Sequence, residues 1–120
     1  MKRSTQILIL ILLTSCFTAR YATDDFCNQT FVCDHGQMVG ETIIQLKKDT
    51  FIYSERGNLF VGKGVWSLSQ DKKTIHLKGS TTLRDYKNEE FALRKNLDMT
   101  LKIKNKKTLA SDDEIFIKQD

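Results

Sequence analysis

Leu97-Asp98-Met99-Thr100-Leu101-Lys102-Ile103-Lys104 is the stretch that decides the fold. Four apolar side chains alternate with Asp98, Thr100, Lys102 and Lys104. A strict period of two places one set on each face of a strand, so this segment is half-buried and antiparallel in character. Working upstream, Glu41 to Lys47 puts Ile44 and Leu46 on one face, and Thr50 to Ser54 alternates Phe51 and Tyr53 with Ile52. Arg56-Gly57-Asn58 is a hairpin signal, and Leu59 to Leu68 is a longer strand with Gly62 and Gly64 marking a bend or bulge. Ser69 to Lys73 turns, Thr74 to Lys78 is a strand, and Gly79 to Thr82 is expected as a loop. Arg84 to Asn96 contains good helix formers, but Phe91 and Leu93 alternate with charged neighbours, which favours a strand. Downstream, Asn105-Lys106-Lys107 turns and Glu114 to Lys118 pairs as the last strand.

Seven to nine short strands separated by polar turns predict an all-β fold: a small antiparallel β-barrel of about eight strands. The expected core is Ile44, Leu46, Phe51, Tyr53, Leu59, Val61, Val65, Ile75, Leu77, Phe91, Leu97, Met99, Leu101 and Ile103. Trp66 is expected as a plug of the barrel floor rather than the lining of a ligand mouth. An apolar content of 40% in 120 residues suffices for one such core and not for two.

The N-terminus gives the expected location. Lys2 and Arg3 precede the apolar run Ile7 to Leu13. Seven residues are far short of the ~20 that span a bilayer, so the run is a signal peptide and not an anchor. Leu13-Thr14-Ser15-Cys16 then matches the bacterial lipobox. That resemblance implies a lipoprotein: removal of residues 1–15, and diacylglycerol on Cys16 with further acylation such as palmitate. Residues 16–26 then form the acylated Cys and a tether, and residues 27–120 a single β-barrel domain. Phe17, rather than Asp, follows Cys16. By resemblance to Gram-negative sorting signals, this favours the outer membrane, facing the periplasm. Loss of Lys2 and Arg3 leaves 17 basic against 15 acidic side chains. Such a surplus is no footprint for nucleic acid. The expected partners are the membrane, through the lipid, and an envelope protein.

Cys27 and Cys33 remain, an even pair in an oxidising compartment, with five residues between them. The expected state is a disulfide, which requires Asn28-Gln29-Thr30 to turn, because a bridge cannot form within one extended strand. The alternatives are free thiols, or a soft-metal site in which Cys27, Cys33, His35 and Met38 offer two thiolates, an imidazole and a thioether. No cofactor is expected. Of the two histidines, His76 lies mid-strand facing solvent and His35 in a turn beside Asp34. No nucleophile and base fall in a catalytic pattern, so a non-catalytic protein is expected.

The segment from Cys33 to Lys104 resembles the N-terminal domain of NlpE-type envelope lipoproteins. The matching pieces are the Cys pair, Thr42 to Leu46, Asp49-Thr50-Phe51, Gly64-Val65-Trp66, Asp71 to Leu77, and Leu97 to Lys107. The resemblance implies a lipocalin-like barrel acting as a lipid-anchored binding or sensing module, with envelope-stress or copper-linked roles. The chain departs from that family in its cysteines, which are not spaced Cys-x-x-Cys. A looser similarity, carried by Phe31-Val32-Cys33-Asp34-His35-Gly36, is to MliC-type lysozyme inhibitor lipoproteins. A carrier of a small apolar ligand is a third expectation for such a barrel.

Overall fold

The computed structural model describes residues 21–55, 60–84 and 90–120, the side chains of 83, 84 and 90–94 excepted. The lipobox, Cys16 and the hairpin at residues 56–58 lie outside the described residues, as do the side chains of Leu59 and Phe91. Eight strands follow in order: β1 (Gln29–Asp34), β2 (Glu41–Leu46), β3 (Thr50–Glu55), β4 (Phe60–Leu68), β5 (Thr74–Arg84), β6 (Glu90–Asn105), β7 (Thr108–Ala110) and β8 (Ile115–Gln119). Each pairs antiparallel with its sequence neighbours, and β1 also pairs with β8, which closes the barrel. Closure gives every strand a partner on both sides, although β6 meets β7 only from Lys102 to Asn105 and is paired before that on the β5 side alone.

The alternation in β6 behaves as the sequence predicts. Leu101 and Ile103 are buried, Leu97 and Met99 pack against the core, and Asp98, Thr100, Lys102 and Lys104 face solvent. Ile44, Leu46, Phe51, Ile75 and Leu77 are buried with them, and Tyr53 packs on the cluster. Val61 and Val65 are the exceptions, Val65 being 58% exposed. Strand parity is the reason. Gly62, Gly64 and Trp66 take the inward positions of β4, opposite Tyr53 and Phe51 on β3. Small residues thus face large rings, and Val65 and Val61 turn outward.

Gly79 to Thr82, expected as a loop, is instead the continuation of β5. Gly79 pairs with Gly64 across β4 and with Leu97 across β6. The glycine serves close approach of two strands rather than a turn. The barrel also reaches beyond its expected N-terminal boundary. Phe26, assigned to the tether, is fully buried, and its ring lies 5.9 Å from that of Tyr21 and 6.4 Å from that of Phe31. Phe31, Leu109 and Phe116 complete the filling. Trp66 is 5% exposed, and its Nε1 donates to the Lys47 carbonyl at 2.9 Å, which ties the floor of the barrel to the β2–β3 turn.

An up-and-down barrel has two ends. The base holds residues 21–28 and the β2–β3, β4–β5 and β6–β7 turns. Residues 21–27 are fixed there: the Cys27 thiol donates to the Lys47 carbonyl at 3.4 Å, and Lys106 Nζ lies 3.3 Å from Asp25. The rim holds the β1–β2 loop, the ends of β3 and β5, and the β7–β8 turn.

Candidate functional site

The rim gathers the polar side chains that the barrel turns inward. Cys33 and Thr42 are direct partners across β1 and β2, and both are buried. Thr42 pairs in turn with Glu55 on β3. Two side chains from the loops close over this layer. His35 follows β1, and its Nε2 lies 2.9 Å from Thr42 Oγ1 and 3.1 Å from Glu114 Oε2. Glu114 ends the β7–β8 turn, where the Ser111 N–H donates to the Glu114 carbonyl at 2.9 Å. Cys33, His35 and Glu114 thereby bring one sulfur, one ring nitrogen and one carboxylate oxygen within 4.8 Å of one another.

Burial pushes the Cys33 thiol up, and the carboxylates of Glu114, Asp34 and Asp113 push it further, against the pull of a hydrogen bond from the Ile115 N–H. Tyr53, one layer below, donates its hydroxyl to Glu55. Burial first, and then Glu55, drive the Tyr53 phenol strongly upward. An open cavity of about 320 Å³ lies over the layer, lined by His35, Val39, Glu41, Thr42, Glu55, Asp113 and Glu114. Its walls are mostly acidic, with the histidine as the one nitrogen ligand among them.

The loop beyond His35 stands out from the rim. Gly36 and Gly40 take positive φ values of 96° and 91°, and the Gly40 N–H donates to the Gly36 carbonyl at 2.9 Å, forming a single tight turn. Met38 at its tip is 99% exposed.

The expected Cys27–Cys33 disulfide is not formed; both thiols are free. Gln29–Asp34 is extended, and the four rises of ~3.3 Å from Gln29 to Cys33 carry Cys33 to the rim while Cys27 stays at the base, beyond the ~7 Å that a bridge allows. The left-handed turn at Asn28 (φ 61°) precedes the strand and does not fold it back. The same separation dissolves the four-ligand set: Cys33 and His35 meet, Cys27 is at the base, and Met38 points to solvent. Glu114 takes the vacated place. Sequence reading missed it because 78 residues lie between it and His35 and only barrel closure joins them; the acidic run Asp112-Asp113-Glu114 was its sole local signal. His76 stands on the outer face, with Nε2 2.5 Å from Asp98, and forms an exposed pair away from the rim.

The fold and site define a small closed β-barrel with a side-chain-filled interior and an acidic, thiol-bearing rim. Comparison with protein-family models, curated proteins and solved structures finds no match to this chain.

Proposed function

We propose that this chain is a lipid-anchored, non-catalytic binding module of the bacterial envelope, of the kind the NlpE-type resemblance implies, held by Cys16 on the outer membrane and facing the periplasm. The observation that carries the reading is the polarity of the barrel. Residues 21–28 enter at the base, and the same end exposes Lys47, Lys48, Lys72, Lys73, Lys104, Lys106 and Lys107. Asp24, Asp25, Asp49, Asp71 and Asp120 share that end, so its excess charge is positive but modest. Such turns suit an anionic headgroup layer beneath a tethered barrel, at ~1 kcal/mol per lysine close to the surface. The rim, with Asp34, Glu41, Glu55, Asp112, Asp113 and Glu114, then points away from the membrane toward a partner. The packing of Phe26, Phe31, Phe51, Phe116 and Trp66 in the described interior favours this reading over a carrier of a small apolar ligand.

The test is expression of the full chain in a Gram-negative bacterium, with mass spectrometry of the membrane fraction. An N-terminal Cys16 carrying acyl chains is expected, and Cys16→Ser should block processing or release the protein. A mature N-terminus downstream of Cys16 overturns the reading.

One observation favours a second reading, a hydrolase inhibitor of the MliC type. The turn from Gly36 to Gly40 projects Met38 and Val39, 99% and 48% exposed, from the rim. A projecting apolar tip is what enters a partner's cleft. Excess soluble protein from Phe17 onward should then slow lysozyme-driven lysis, and Met38→Asp should restore the rate. Lysis at an unchanged rate removes this reading.

A further inference from the structure

We propose that Cys33, His35 and Glu114 form a zinc-binding site at the rim of the barrel. The inference concerns what the rim binds and holds whether or not the chain is anchored through Cys16.

The donor set carries the choice of metal. A thiolate, an imidazole and a carboxylate are the three protein ligand types of zinc, and together they exclude the hard cations, which take oxygen alone. Cu(I) would need further sulfur. Cys27 is at the opposite end of the barrel, and Met38 is 99% exposed. Glu114 is a poor ligand for so soft an ion.

The geometry is close to what zinc requires. Bonds of ~2.3 Å to sulfur and ~2.0–2.1 Å to nitrogen and oxygen set tetrahedral edges of roughly 3.3–3.6 Å. The His35–Glu114 edge already measures 3.1 Å, and all three donors fall within 4.8 Å. The gap that remains is on the edges to Cys33, and His35 and Glu114, which both lie in loops and not in strands, are the side chains that rotate to close it. Water, or the carboxylate of Asp113 in the same cavity, completes four-coordination.

The surroundings fit a cation. Glu41, Glu55 and Asp113 face the same cavity, so its described lining carries more negative charge than His35 can balance. Cys33 is also held in place by the Ile115 N–H on its sulfur. An outer hydrogen bond of this kind fixes a ligand before the metal arrives. The thiol has no cysteine within bridging distance among the described residues, so an oxidising compartment does not consume it as an intramolecular disulfide.

The experiment uses the soluble domain from Phe17 onward, purified without chelator, and Zn²⁺ alone as ligand. Calorimetric titration should show one equivalent bound. Cobalt(II) as a spectroscopic stand-in should give the near-ultraviolet charge-transfer band of a thiolate ligand. Cys33→Ser should remove that band, His35→Ala and Glu114→Gln should each weaken zinc binding about 10- to 100-fold or more, and Cys27→Ser should change neither. Should Cys33→Ser fail to fold, Glu114→Gln, in an exposed turn, carries the test alone. No zinc uptake, or uptake unaffected by Glu114→Gln, overturns the proposal. A cobalt band that survives Cys33→Ser and disappears with Cys27→Ser overturns it as well.

Discussion

Gly64 and Gly79 face each other across β4 and β5 with no room for a side chain on either. A Cβ on Gly64 would lie 2.1 Å from the Lys78 carbonyl oxygen, and one on Gly79 would lie 2.1 Å from the Lys63 carbonyl oxygen. Both obstacles are backbone and cannot rotate away. Two of the longest strands are pressed together at this point, where the wall must curve to close.

Gly64→Ala and Gly79→Ala should therefore each destabilise the barrel by about 3 kcal/mol, because the strands must separate locally. Gly36→Ala is the contrast. Nothing lies within 4 Å of its Cβ position, but φ is +96°, so the cost is the backbone term alone, about 1 kcal/mol. Urea unfolding of the three variants measures the order. Equal losses at Gly36 and Gly79 would show that the close approach is not what fixes the glycine.

The register of β6 can be tested in the same way. Leu101 is fully buried, and Thr100 beside it is exposed. Leu101→Ala should cost about 3 kcal/mol, through lost burial and the cavity left behind. Thr100→Ala should stay within about 0.5 kcal/mol. Comparable losses at the two sites would place β6 one residue out of register.

Much of this fold was legible because period two is a local signal. Leu97 to Lys104 announces its faces without help from the rest of the chain, and Lys106-Lys107 after Asn105 announces its turn. Gly79-Ser80-Thr81-Thr82 was misread because turns and close strand contacts draw on the same small residues. Only the partner Gly64 tells them apart, and the pairing is not local. Val65 was misread for a related reason: in β4 the inward positions are glycines and Trp66, so hydrophobicity points to the wrong face. β7 escaped notice because three residues carry too little pattern. At the site, Cys33 and His35 were legible as ligand types, but their company was not. Pairing cysteines by count takes no account of the strand that separates them, and Glu114 reaches His35 only through closure of β8 on β1.

The cysteines give a direct check on that correction. In the soluble domain, which retains Cys27 and Cys33 but lacks Cys16, a thiol reagent should count two free thiols without prior reduction. Cys27, half-exposed at the base, should react first, and buried Cys33 more slowly. Reducing agent should leave the melting temperature unchanged. A count of zero on the folded, unreduced protein would mean that β1 does not run extended between them.

Tyr53 makes the stability of the barrel depend on alkaline pH. Its phenol is pushed strongly up, first by burial and then by the hydrogen bond to Glu55 and the charge of that carboxylate. The folded state therefore holds the phenolic proton more tightly than the unfolded chain, whose tyrosines ionise near pH ~10. A raised native value means stability that is complete below pH ~10 and declines as pH rises above it, because only the unfolded chain then gains by releasing the proton. Urea midpoints measured from pH 8 to 12 should stay level at first and fall beyond about pH 10. Tyr53→Phe keeps the ring in the core and removes the titrating group. Its curve should start lower where the Glu55 hydrogen bond is lost, and decline less steeply above pH ~10. A variant whose alkaline slope matches that of the parent would assign the pH dependence to another group.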